Sequence, residues 1–416
     1  MVPEPTPAAT SATLRRFGLL WFTYFAGIGL FNTYAPLWFK ALGLSTLAIG
    51  AMSAMQAWTR LLAPYGWSWM ADHSGQRTGL IRWAAAGALA ATLGLWGLTG
   101  ASGLWPVLLP GTAAVTLAVA LLFVANGGVV PLAEAALSQL LVTRQGLDTA
   151  RYGRVRVWGS IGFIVSVSLA GVALQATGTG LFPLAVALLN AALLLAALQL
   201  PAGAPAQRHA APVPPVLPLL RRPTVAWFFA SIFFTVLAHV SLYAFLSLYL
   251  DSLGYRKDAV GALWAVAVVC EVAFFFTQGR WSSLLTPHGW FKAAAAVSVL
   301  RFGAVALGGS SALVLVLAKV SHAVTFAGHH GGCIALLSRY FPDRLRGRGQ
   351  ALYTALGYGL SGLVGGLAGG WLIEYAGYAA VFWAAAASAA LGLLCAVLAE
   401  RADARESAAG RAGAPG

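Results

Sequence analysis

The chain has 416 residues, of which 59% are hydrophobic and only 9% charged, with a mean hydropathy of +0.77. No water-soluble core hides that much apolar surface, so the composition excludes a soluble globular protein and points to a membrane protein. The net charge of +14 raises nucleic acid as a partner, but the placement of the basic residues, taken up below, excludes it.

A bilayer span needs about 20 apolar residues, and twelve such runs follow one another along the chain. They are predicted at Phe17 to Phe39, Thr46 to Met70, Gly79 to Ala101, Ala113 to Val142, Val155 to Ala176 and Leu181 to Leu200. The second six are Val225 to Leu250, Ala259 to Thr277, Trp290 to Leu307, Ala312 to Leu337, Ala351 to Ile373 and Ala379 to Leu398. The fourth belongs to an apolar stretch from Leu104 to Val142 that is too long for one upright span, and Pro110, Gly127, Gly128 and Pro131 are expected to kink or tilt it. Met1 to Ser11 lacks a charged segment followed by a short apolar core, so the first span is expected to act as the insertion signal.

Arg15, Arg16 and the gaps after the even-numbered runs, with Arg82 at the start of the third run, hold most of the basic residues, among them Arg77, Arg144, Arg151, Arg154, Arg208, Arg280, Arg339, Arg344 and Arg346. Gaps after odd-numbered runs hold only Lys40, Arg256 and Lys257. The positive-inside rule then puts both termini in the cytoplasm and requires an even number of spans. Cys270, Cys333 and Cys395 all lie in apolar runs and form no disulfide framework; they are read as small packing residues.

Residues 201–223, rich in proline and alanine, read as an extended cytoplasmic linker. It divides a cytoplasmic N-terminus (1–16) and a first six-span bundle (17–200) from a second bundle (224–400) and a cytoplasmic tail (401–416). The halves echo each other: Leu42-Gly43 recurs as Leu253-Gly254, and Ile49-Gly50-Ala51 as Val260-Gly261-Ala262, at one constant offset. The same offset sets Glu271 opposite Arg60. Parallel six-span repeats of this kind mark major facilitator transporters, whose solute site lies between the halves near the bilayer midplane.

Arg60, Glu134, Arg156, Glu271, Arg301 and Lys319 fall inside or at the mouths of apolar runs. A charge in hydrocarbon costs about 2.5 to 3.5 kcal/mol on an insertion scale, so such residues persist where they pair or line a solute path. The loop after the second run, Ser68 to Arg77, is similar to the cytoplasmic signature of the facilitator superfamily. Asp72, Gly75 and Arg77 match it, whereas Ser68, His73 and Gln76 depart from it. Gly75 permits a tight turn, and Asp72 caps a helix or pairs with an arginine, so Asp72, Gly75, Arg77 and Arg60 are the expected gating residues; an ordinary capped turn is the alternative.

The stretch Tyr152-Gly153-Arg154-Val155-Arg156-Val157-Trp158-Gly159-Ser160-Ile161-Gly162-Phe163 resembles the start of the fifth helix in phenylpropionate permeases, a branch related to the lactose permease and nucleoside symporter families. Val260 to Trp264, Val269-Cys270-Glu271-Val272, Arg301, and His322 three residues before Thr325 extend the resemblance. It implies an all-α membrane protein of twelve transmembrane helices in two pseudo-symmetric six-helix bundles, set in a bacterial inner membrane and acting as a monomer.

The resemblance further implies that Glu134 and Arg156 contact substrate and that Phe163 stacks on it; the alternative is a structural ion pair joining two helices. Arg156 and Phe163 lie two turns apart and share a helix face. Glu271, Arg301, Lys319 and His322 match the relatives' charged cluster for proton coupling, although Thr325 stands where lactose permease has a carboxylate. Glu271 is then the first candidate for the coupling group, with His322 and His239 behind it; a hydrogen-bonded core histidine is the other reading of the latter two.

Arg60, Arg156, Arg301 and Lys319 outnumber Glu134 and Glu271, which favours an anion. An aromatic carboxylate would meet an arginine through its carboxylate and pack its ring on Phe163, Trp158 or Tyr24; a sugar or nucleoside would use Glu134 and Arg156 as hydrogen-bond partners. Proline is absent from Gly159 to Gly171, unlike the antiporters' fifth helix, and this favours uptake. The partners expected are a small solute, protons and the bilayer, with no cofactor beyond the proton gradient. An intramembrane metal-dependent enzyme, using His329, His330 and Cys333, is the remote alternative, as is a sensor, for which the termini are short.

Overall fold

The computed structural model describes residues 7–99, 111–143, 146–201, 217–342 and 345–412. The first six residues, Leu104 to Pro110, most of the 201–223 linker, the last four residues of the tail, Arg144, Arg208 and Arg344 lie outside the described residues.

Each apolar run forms the body of a helix. The helices are α1 (Pro7–Ala41), α2 (Thr46–Ser74), α3 (Arg77–Thr99), α4 (Gly111–Leu141), α5 (Thr149–Thr177) and α6 (Phe182–Leu198). After a short turn of helix at Leu217–Leu220 come α7 (Pro223–Ser252), α8 (Lys257–Trp281), α9 (Pro287–Gly308), α10 (Ala312–Tyr340), α11 (Arg346–Ala376) and α12 (Tyr378–Ala412). Among the described residues the strands are limited to the two-residue pair β1 (Val142–Thr143) and β2 (Gly146–Leu147), a hairpin between α4 and α5. This is the all-α membrane architecture predicted from the runs. Among the described residues ten helices, α3 to α12, are long and apolar enough to cross a membrane by length and composition. Helices α1 and α2 are as long, but Trp, Tyr, Thr and Asn dilute α1, and Arg60, Gln56 and three tryptophans dilute α2.

Helices α5 and α9 each carry a side-chain cap at their start. Asp148 accepts from the Arg151 backbone amide at the start of α5, and Thr286 from that of Gly289 at the start of α9. Helix α4 carries Pro131. Its Gly127 and Gly128 have a packing role: a Cβ there would meet Ala63 and the Trp67 ring of α2 at 2.6 Å. Trp67 Nε1 donates to the Val124 carbonyl at 2.9 Å.

The chain forms two compact units. The first is Met1–Leu44, Thr59–His209 and Tyr255–Ala265; the second is Ser45–Trp58, Ala210–Gly254 and Val266–Gly416. The opening stretch of α2 thus belongs to the second unit and that of α8 to the first. Within each unit the stretch is held by the same device. In the second, a Cβ on Gly50 would strike the Gly366 carbonyl, and one on Gly370 the Thr46 carbonyl. In the first, Gly261 meets the Val167 carbonyl and Gly171 the Lys257 carbonyl in the same way. Glycine at these repeat-related positions lets the backbones touch. The ends are tied alike: Glu374 accepts from the Leu47 amide at 3.0 Å, and Gln175 from the Lys257 amide at 2.9 Å.

Candidate functional site

The first cluster lies in the first unit, where α5 meets α1. A Cβ on Gly162 would strike the Phe22 carbonyl, and one on Gly159 would lie 2.7 Å from the Phe25 ring. Glycine therefore brings α1 against α5, and the stripe Trp21, Phe25, Gly29 on α1 faces the stripe Arg156, Gly159, Phe163 on α5. The Arg156 guanidinium sits 4.4 Å from the Trp21 ring centre and 4.8 Å from that of Phe25, a double cation–π platform. Its Nε lies 3.5 Å from Glu134 Oε1 on α4, with the two side chains 32% and 40% exposed. The pair is thus partly exposed.

Tyr152 lies in the field of both members of the pair. Tyr24 packs edge-on against Phe25, with centroids 5.2 Å apart, and lies in the field of Arg60, Arg156 and Glu134. Phe163 covers Gly29 and meets the edge of Trp264 at 6.4 Å. Glu134, Arg156 and Tyr24 thus come together, and Phe163 lies two turns along the same face of α5. Trp158 does not join them. It sits about 200° around α5 from Arg156 by helix geometry, is 49% exposed, and rests on Gly18. Trp21, Phe25 and Tyr152 are the site residues that sequence reasoning passed over.

The loop between α2 and α3 turns at Gly75, whose φ of 68° belongs to the left-handed region. Arg77 reaches Asp72 at 4.0 Å and donates to Gln139 on α4 at 3.0 Å. Asp72, Gly75 and Arg77 therefore form one local unit. Arg60 is about three turns up α2 from Asp72 and belongs with Tyr24 instead.

The second cluster lies in the second unit. Arg301 on α9 is 3% exposed, and one of its terminal amines donates to His322 Nδ1 at 3.1 Å and to the Thr325 hydroxyl at 2.8 Å, both on α10. A guanidinium only donates, so His322 Nδ1 accepts and the ring proton is on Nε2. That nitrogen faces Glu271 on α8, 4.0 Å from its Oε2. Thr325 thus works as an acceptor for Arg301. His239 on α7 has its ring 6.2 Å from that of His322 and donates from Nδ1 to the Thr235 carbonyl at 2.8 Å. Lys319 is buried one turn before His322, within the field of Arg301. The five residues predicted for coupling are thus gathered in one place.

Two features here were not predicted. Helix α10 widens into a π turn at Ala323–Gly328 directly after His322, and α11 does so at Tyr353–Leu360; such turns occur often at functional sites. Between them His330 Nδ1 lies 3.3 Å from the Tyr353 hydroxyl, which lies 3.1 Å from the Tyr358 hydroxyl. His329 instead stacks on Phe291 and contacts Cys333 Sγ at 3.6 Å. The three residues considered as metal ligands are therefore divided between two environments. Among the described residues no group of three or more His, Cys, Asp or Glu side chains is placed to hold a metal ion.

Residues 14–384 match the model of the MFS_1 like family, in which MFS denotes the major facilitator superfamily. The chain belongs to that family. This major facilitator transporter is 28% identical over 378 residues to the probable 3-phenylpropionic acid transporter of Escherichia coli strain K12, a match covering 89% of the chain and 93% of the relative. It is also 28% identical over 374 residues to the maltose permease of Geobacillus stearothermophilus, covering 86% and 87% of the two chains. Among solved structures, a variant of the nucleoside transporter NupG superposes with a TM-score of 0.77 at 18% identity, over 94% of this chain and 99% of that one.

Proposed function

We propose that this transporter imports a small organic anion, an aromatic carboxylate such as 3-phenylpropionate, together with protons. It works as a monomer in a bacterial inner membrane, with both termini cytoplasmic and the halves 17–200 and 224–400 alternating access. The observation that carries the proposal is Arg156, backed by Trp21 and Phe25 yet partly exposed. A guanidinium held on aromatic rings presents its remaining N–H groups to a carboxylate, while Tyr24 and Phe163 offer surface for a ring. The excess of Arg60, Arg156, Arg301 and Lys319 over Glu134 and Glu271 also favours an anion. Glu271, His322, Arg301, Lys319 and His239 form the proton-coupling cluster, with Glu271 the first candidate for the group that takes the proton, and Asp72, Gly75 and Arg77 form the gate.

The pairing of Arg156 with Glu134 also supports a second reading. A sugar or nucleoside hydroxyl accepts from an arginine and donates to a carboxylate at once, and the maltose and nucleoside relatives fit it. Uptake of labelled 3-phenylpropionate into proteoliposomes, in competition with maltose and uridine, separates the two. The first reading expects saturable uptake that the sugar and the nucleoside leave unchanged. Transport of maltose or uridine without transport of 3-phenylpropionate contradicts it.

A further inference from the structure

The Arg301–His322–Glu271 cluster holds a proton site but leaves open how the proton leaves it. Thr325 offers Arg301 a hydroxyl and no carboxylate. In the proposed orientation the turn between α10 and α11 faces the cytoplasm. Toward that turn, His330 lies about 12 Å beyond His322 at 1.5 Å per residue. On α11, Tyr353 is 6% exposed and its hydroxyl lies within hydrogen-bonding distance of both His330 Nδ1 and the Tyr358 hydroxyl. Tyr243 on α7 falls within electrostatic reach of Arg301 at one end and of Tyr353 at the other. Tyr353 packs in a cluster with Phe229, Ile232, Val236 and Leu336, with Tyr358 against it; both tyrosines lie in the π turn of α11, and the π turn of α10 ends just before His329 and His330.

We propose that Tyr243, Tyr353 and His330 form the proton exit of this transporter, carrying the coupled proton from the Glu271–His322 site to the cytoplasmic end of the second unit. The proposal rests on the proton-coupled reading above. A phenol hydroxyl both donates and accepts. In each handover a tyrosine gives its proton to the group ahead and takes one from the group behind, so one proton crosses and neither tyrosine changes charge. His330 takes the proton at Nδ1 and releases one from its other ring nitrogen. Imidazole suits the last station because its two ring nitrogens let it take a proton on one side and release one on the other. His329 beside it is turned to Phe291 and Cys333 and takes no part. Tyr358 holds the Tyr353 hydroxyl in place.

The test compares wild type with Tyr353→Phe and His330→Gln in proteoliposomes, using whichever of 3-phenylpropionate, maltose and uridine the wild type exchanges fastest. Tyr353→Phe removes one hydroxyl and keeps the buried ring, so folding is preserved. Exchange at equal pH needs no net proton movement, whereas accumulation driven by an inward proton gradient does. Both variants are expected to exchange within about twofold of wild type, while accumulation slows about a hundredfold, the lower end of what a positioned proton-transfer group contributes. Coupled accumulation at wild-type rate in both variants overturns the exit path alone. Equal loss of exchange and accumulation assigns these residues to packing or solute binding and overturns it as well. A wild type whose uptake ignores the gradient overturns the proton-coupled reading itself.

Discussion

Replacing Arg156 by lysine separates a solute contact from a structural ion pair. The charge survives, but the planar fork is lost. A lysine neither stacks flat over Trp21 and Phe25, 4.4 and 4.8 Å from the guanidinium, nor offers a carboxylate two parallel N–H groups. One charge-assisted hydrogen bond is worth about 1.5 to 3 kcal/mol, and the weakened stacking adds about 0.5 to 1 kcal/mol at a partly exposed site. Binding should therefore weaken by about 2 to 4 kcal/mol, roughly thirtyfold to almost a thousandfold in Kd. The pair with Glu134 is long, at 3.5 Å, and partly exposed, so its own contribution to stability is about 0 to 1 kcal/mol. Equilibrium binding of labelled 3-phenylpropionate to purified protein, with a thermal unfolding scan of the same samples, reads both quantities. Large loss of affinity with little change in Tm is expected. Unchanged affinity with a large fall in Tm would refute the reasoning and make Arg156 a helix tie.

Thr325→Val leaves a buried Arg301 donor without its 2.8 Å acceptor, at a cost of about 1 to 3 kcal/mol; Tm should fall, and Thr325→Ser should restore it. Gly162→Val pushes a side chain into the Phe22 carbonyl, and overpacking of about 1 to 3 kcal/mol or more should appear as lower Tm together with weaker solute binding, because the Trp21 and Phe25 platform shifts away from Arg156. Gly75→Ala puts a Cβ at a φ of 68° for about 1 to 2 kcal/mol; transport rate should fall while solute affinity at equilibrium holds.

The helices were legible because hydrocarbon thickness sets a length that composition alone reports: the predicted run Val225 to Leu250 became Pro223–Ser252. Pairs such as Arg156 with Glu134 were legible because charge in an apolar run needs a partner. Trp21 and Phe25 were not. Their spacing of four along α1 was visible beside Tyr24, but nothing local distinguished them from other aromatics until Gly159 and Gly162 brought α5 against them. Trp158 packs on Gly18 instead, a placement that the sequence did not announce. The repeat announced Gly50 and Gly261, while their reason, contact with the Gly366 and Val167 carbonyls, depends on partners far along the chain. The π turns left no periodic signal, and His330 was read as a metal ligand because its partner, Tyr353, lies on the next helix.

Proton coupling through Glu271 is the central proposal, and one measurement tests it most directly. Labelled 3-phenylpropionate is followed in proteoliposomes with and without an imposed inward proton gradient, for wild type and for Glu271→Gln. Accumulation above equilibrium in the wild type, abolished in the variant while exchange persists, is the predicted result. Wild-type uptake that reaches the same level with or without the gradient would contradict it.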